Sequence, residues 1–406
     1  FSASVLRSLF MPRTASPVLK APLWLLAMVT IGGTLAMHMF IPALPDAARQ
    51  LGSSNGQMQQ TITVYIMGMA LGQLIYGPMS DALGRRPVLL VGLCLYTLAS
   101  LLAFMAPSTD MLIGARLLQA LGGCAGLALG RAIARDTATP ENAVGSLALL
   151  NLMMMIGPGI SPSIGSGLDA VFGWRSIFAA LALMGLVTAI CVWRLLPETG
   201  RPTGQLNWRT VRTDYRTLLG SPQFLGFAIG GGGATTSLYA FIAAAPFIFI
   251  EQLHTSKAEV GLILGLLMGG MALGNVLARQ LIQRVSLDKL MLGGNLLSLS
   301  CAGALLALTL MQQLNVVLAV SLMTLFTIGS GMTSPAALAK ALGVHPQLTG
   351  SAAGVYGFAQ MAVGGICTMA ASVGDNPSLS AFSVLFIAGM LGQLGFRFAL
   401  SKNHSN

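Results

Sequence analysis

Twelve apolar stretches follow one another through this chain, each near the length needed to cross a bilayer. They run near 23–44, 57–80, 87–106, 110–135, 142–169 and 174–196, then 222–250, 258–285, 289–311, 314–342, 349–374 and 378–400. About 20 helical residues span the hydrocarbon layer. Inside that layer every backbone N–H and C=O needs an internal partner, so helices are expected. Charge content agrees. Only 8% of the 406 residues are Asp, Glu, Lys or Arg, against 54% hydrophobic residues and a mean hydropathy of +0.76. A soluble domain of this length needs far more surface charge. The expectation is an all-α integral membrane protein of twelve transmembrane helices, with lipid as its solvent.

The formal net charge of +10 could point to nucleic acid, but its placement does not. Of 22 Lys and Arg residues, 18 fall at one set of span ends; Arg49, Arg175 and Lys257 fall at the other, and Arg116 lies inside the fourth span. The positive-inside rule then puts the crowded side and both termini in the cytoplasm. No small-residue cleavage site follows the first apolar run, so it is read as a retained span and not as a signal peptide. Cys94, Cys124, Cys191, Cys301 and Cys367 are odd in number, lie in apolar spans and contain no C-x-x-C pair. They read as small buried hydrophobes. His38, His254, His345 and His404 are scattered without metal-ligand spacing. No P-loop or G-x-S-x-G string supports ATP-driven pumping or hydrolase chemistry. No metal, cofactor or nucleic acid is expected.

The polar stretch 197–221, with Pro197, Pro202 and several arginines, is the longest break in the apolar pattern. It reads as a cytoplasmic linker between six-helix bundles at 1–196 and 222–406. The halves echo each other. Phe40-Ile41-Pro42-Ala43-Leu44-Pro45 matches Phe241-Ile242-Ala243-Ala244-Ala245-Pro246, and Leu71-Gly72-Gln73 matches Leu273-Gly274-Asn275 at nearly the same offset. Gly92 and Gly294 hold that register. Parallel repeats place a substrate site at their interface, near the bilayer midplane.

Three charges crowd into six residues in the loop after the second span, at Asp81, Arg85 and Arg86. Pro87 suits the first turn of the next helix, and Gly84 permits the turn before it. Gly77, Asp81, Gly84, Arg85 and Arg86 fit the pattern G-x-x-x-D-x-x-G-R-[R/K], which resembles the signature loop between helices 2 and 3 of the major facilitator superfamily. The resemblance implies a latch: Asp81 beside the start of the eleventh span, where the helix dipole favours a carboxylate, and Arg85 paired with Asp136. The plainer alternative is that these charges set topology only. A second, degraded copy stands at Arg284-Val285-Ser286-Leu287-Asp288-Lys289.

In the fifth span, Gly157, Pro158 and Gly165 resemble the family's antiporter motif, although Pro162 is extra and a Gly-Gly pair is missing; the alternative is a generic kinked helix. In the fourth, Arg116 and Gln119 resemble the R-x-x-Q-G motif, with Ala120 in place of glycine. A buried arginine normally faces a cavity, and snorkelling to the outer headgroups is the alternative. The run Met37 to Pro45, extended by Tyr65, Gly72, Gln73 and Tyr76-Gly77-Pro78, resembles the Bcr/CflA branch of drug:proton antiporters. That branch has an aspartate where this chain has His38. A histidine can titrate near neutrality; the other reading is a neutral packing histidine. Thr34 shares its helix face. Tyr65, Asn151, Met155, Tyr239, Tyr356, Gln360 and Met361 are further cavity candidates.

Taken with the resemblance, the chain is expected to be a monomeric, proton-coupled exporter of small lipophilic or amphipathic drugs, chloramphenicol- or bicyclomycin-like. It would work by alternating access across a bacterial inner membrane, with substrate, protons and lipid as its partners. An exporter or facilitator of one metabolite, without proton coupling, is the alternative. A membrane enzyme would need a clustered catalytic set, and a receptor would leave the latch without purpose.

Overall fold

The computed structural model describes residues 22–137, 143–200 and 208–403. Its helices are α1 Leu23–Met39, α2 Leu44–Leu51, α3 Asn55–Leu83, α4 Arg85–Phe104, α5 Thr109–Thr137, α6 Ala143–Phe172 and α7 Arg175–Leu195. A short α8, Trp208–Leu219, precedes α9 Pro222–Gly231, α10 Leu238–Pro246, α11 Lys257–Leu281, α12 Leu287–Leu310, α13 Val316–Val344, α14 Thr349–Ala371 and α15 Pro377–Asn403. Among the described residues, eleven helical segments are long and apolar enough to cross a membrane. The 30-residue α6 supplies the twelfth long helix.

Two spans are not single helices. In the first, Pro42 and Pro45 lack the N–H groups that α1 would need to continue, so α1 stops at Met39. A 3₁₀ turn, Ile41–Ala43, leads into α2. In the seventh, the glycine-rich junction after α9 widens into a π turn at Gly232–Thr236, and a second follows Pro246 at Phe247–Gln252. Such π turns are rare and gather at functional sites.

The packing repeats. In the first half α4 packs on α5 and α7, α3 on α5, and α1 on α5 and α6. In the second, α12 packs on α13 and α15, α11 on α13, and α9 on α13. Across the interface α3 packs on α14 and α6 on α11. Exchanging the halves turns the first of these contacts into the second, as a pseudo-twofold axis requires. Helix starts obey the same repeat. Ser54 and Gln57 form a capping box on α3, and Ser256 and Glu259 form one on α11. Each box satisfies backbone N–H groups that have no partner inside the helix.

The loop after α3 defines one face of the molecule, here called the arginine-rich face. The start of α3 and the end of α2 lie at the opposite face.

Candidate functional site: a central cavity and its two closures

A cavity of about 270 Å³ lies between the halves. Thr34 and His38 of α1, Gln73 of α3, Leu127 of α5 and Pro158 of α6 line it from one side. Thr235, Tyr239, Met268, Met271, Gln360 and Met361 line it from the other. No Asp, Glu, Lys or Arg is among its described lining residues. Its chemistry is therefore neutral: hydroxyls, amides, thioethers and one imidazole.

His38 sits in the last turn of α1, 4% exposed. Its Nδ1 lies 2.8 Å from the Thr34 carbonyl oxygen, which only accepts, so Nδ1 holds the proton and Nε2 remains free to gain one. The Tyr239 ring of the opposite half stands 6.3 Å away, centroid to centroid. Opposite, Gln360 donates to Thr235 Oγ1 (3.1 Å), and the Thr236 hydroxyl donates to the Gln360 carbonyl (2.6 Å). These bonds tie the π turn to α14.

Arg116 is not among the described lining residues of this cavity, although an arginine facing a cavity was one expectation for it. It is fully buried behind α1. Nη1 donates to the Ala36 carbonyl (2.9 Å) and to Gln119 Oε1 (2.6 Å), and the guanidinium lies over the Tyr65 ring at 4.0 Å. The physical reason is the early end of α1. Its last carbonyls lack intrahelical donors, and a cation is favoured at a helix C-terminus. Gln119 turns away to Ser100, and Tyr65 donates to the Gly33 carbonyl, so neither lines the cavity. Tyr356 also lies outside the lining, its hydroxyl meeting Gln360 at 3.3 Å. Asn151 and Met155 have side chains outside the described residues.

On the arginine-rich face, Gly84 has φ +100°, a conformation that favours glycine, and a Cβ there would sit 2.6 Å from Glu198 Oε2. Arg85 Nη1 lies 2.7 Å from Asp81, and its Nε 3.1 Å from Asp136. Arg86 donates to the Trp193 carbonyl (2.6 Å). The antiporter-like run makes a close approach: a Cβ on Gly165 would collide with the Met39 carbonyl, while Gly157 faces Ile31 and Thr34.

Residues 26–369 match the family model described as Major Facilitator Superfamily. The chain belongs to the Major Facilitator Superfamily. It is 30% identical to multidrug resistance protein D of Escherichia coli K12, covering 82% of this chain and 84% of that one. It is 26% identical to a bicyclomycin resistance protein homolog of Haemophilus influenzae, covering 90% and 93%. In fold it is similar to a bacterial homologue of the human lysosomal transporter Spinster, with a TM-score of 0.75 at 14% identity, covering 95% and 98% of the two chains.

Within this superfamily fold, several site residues escaped the sequence reading. Glu198 accepts from the Arg85 and Arg86 backbone N–H groups, at 2.9 and 3.2 Å, placing a carboxylate on the α4 N-terminus. Asp288 and Lys340 are 2.5 Å apart. They join the start of α12 to the end of α13, as Arg85 and Asp136 join α4 to α5, with the charges exchanged. The degraded second loop thus keeps an ion pair, and the repeat offset was the signal that could have found it.

At the opposite face, Lys257 of α11 pairs with Asp46 of α2 and, at 2.9 Å, with Asp169 of α6, whose side chain is 1% exposed. Asn55 donates to Glu251 (2.8 Å), again across the halves. The linker contributes too. Ser351, in the first turn of α14, donates to Asp214 of α8 (2.9 Å). Asp214 thus places a carboxylate at the start of α14. Burial, and then the adjacent Asp214, raise the Tyr215 phenol above its ordinary pKa, so it stays a hydrogen-bond donor.

Proposed function

We propose that this chain is a proton-coupled secondary exporter of small, neutral, amphipathic compounds, of the drug type named in its multidrug, bicyclomycin and chloramphenicol resistance relatives. The cavity supports this reading most directly. It is walled by both halves, is free of carboxylate and fixed cation among its described lining residues, and holds one imidazole. Such a lining suits soft, uncharged cargo better than sugars or polyanions. Residues 1–196 and 222–406 act as the two rocking halves, joined by 197–221. The chain works as a monomer in a bacterial inner membrane, with the arginine-rich face and both termini cytoplasmic.

His38 carries the coupling proton on Nε2. Neutral drug enters from the arginine-rich side and leaves as His38 is protonated from an acidic exterior. The return step releases the proton inward. Arg85, Asp81 and Asp136 hold one arrangement of the arginine-rich face, and Lys257, Asp46 and Asp169 hold the other face shut in the state described here.

A susceptibility panel in an efflux-deficient host, with and without the gene, tests the substrate class. Expression should raise resistance to chloramphenicol-like compounds, and collapsing the proton gradient should restore their retention. Efflux that stopped on ATP depletion with the gradient intact would overturn the coupling.

A further inference from the structure

Pro78 lies inside α3 and has no N–H, so the Leu74 carbonyl lacks the donor that a continuous helix would give it. A carbonyl left without its helical donor in the protein interior needs another partner. It has one: the Tyr215 hydroxyl of α8 donates to it at 3.0 Å. The next residue back, Asp214, accepts from Ser351 of α14. A Cβ on Gly354 of α14 would lie 3.3 Å from the Gln73 carbonyl and 4.0 Å from the Tyr215 hydroxyl, so α3, α14 and α8 meet at one point. Gln73, immediately before Leu74, is part of the cavity wall.

We propose that α8 is a clasp between the halves, and that Tyr215 and Asp214 are positioning residues for the Gln73 end of the cavity. Tyr215 restores to α3 the bond that Pro78 removes, and it stays with the first half. Asp214 holds the second half through Ser351, and this contact must release when α3 and α14 shift during alternating access. The proposal rests on the transport reading for its consequence, but its geometry does not.

The test is a mutant cycle in the full chain, reconstituted in nanodiscs. Tyr215→Phe keeps the ring and removes the donor. Amide exchange over 75–83 should rise roughly fivefold, the size expected for losing one hydrogen bond. Adding Pro78→Ala supplies a new N–H to Leu74 and should return exchange to the parent level. A tyrosine that served only as packing would not be rescued this way. With chloramphenicol as the probe, Tyr215→Phe should raise KM severalfold with little change in maximal rate, and the double variant should recover it. Asp214→Asn should leave exchange in α3 unchanged and alter the maximal rate instead.

Parent-like exchange in Tyr215→Phe, or no rescue by Pro78→Ala, would overturn the clasp. If the exchange cycle held while no compound in the panel was exported, the clasp would stand and the drug reading would fall.

Discussion

The two faces are closed by different physics. At the opposite face, charges from one half meet charges of the other: Lys257 with Asp46 and Asp169, reinforced by Asn55 with Glu251. Glycines bring the backbones together there, Gly56 toward the Ser372 carbonyl and Gly261 toward Pro162 and Ser163. At the arginine-rich face, Arg85 with Asp81 and Asp136, and Lys340 with Asp288, pair charges inside a half. The halves are bridged there by the neutral donors of Tyr215 and Ser351. A charged seal across the interface therefore marks the opposite face. Reversing access must break that ionic seal.

The largest effect should come from Lys257→Met, which leaves Asp169 buried without its cation. Breaking a buried pair costs roughly 3–5 kcal/mol. Partial exposure of Lys257 and Asp46 reduces that to about 1–3 kcal/mol. An impermeant thiol reagent added at the opposite face should then label a Tyr239→Cys variant at least about tenfold faster. Unchanged labelling would show that glycine contacts, and not charge, hold this face.

Arg85→Gln sharpens the contrast from the other side. It removes the contacts to Asp81 and Asp136 together, so efflux at equal expression should fall about three- to tenfold. Labelling from the opposite face should stay at the parent rate. Lys340→Gln, which breaks a single pair, should change efflux by less than about twofold. Equal losses in both variants would mean that the two halves contribute equally to gating.

The sequence made the spans, the repeat and the Arg85 loop readable, because each depends on local composition or fixed spacing. The contacts that distinguish the faces depend on which helices pair across the interface. Hydropathy does not say that α6 meets α11, so Lys257 read only as a charge at the sparsely charged span ends, and its pairing with Asp46 and Asp169 went unread. Arg116 shows the same limit on a smaller scale. Its depth on the fourth span was legible, but its direction was set by Tyr65 and the freed Ala36 carbonyl, which no periodicity reveals. Glu198 reaches Arg85 from 113 residues away.

The smallest effect on rate, and the one that decides where the proton binds, concerns His38→Asn. Asparagine can still donate to the Thr34 carbonyl, as His38 Nδ1 does, so the end of α1 should keep its shape. What disappears is the free Nε2, in a cavity with no carboxylate among its described lining residues. Among the described lining residues the imidazole is the one base that an acidic exterior can protonate. Efflux near pH 7.5 should therefore stay within about twofold of the parent, while its dependence on external pH between about 5.5 and 7.5 flattens. His38→Asp should restore a pH dependence, since it places a carboxylate where the Bcr/CflA pattern has one. If His38→Asn kept the parent profile, the titrating group would lie outside the cavity. The buried Asp169 in the ionic seal would then be the next site to test, and the pH response would belong to the closure of the opposite face instead of to the cargo site.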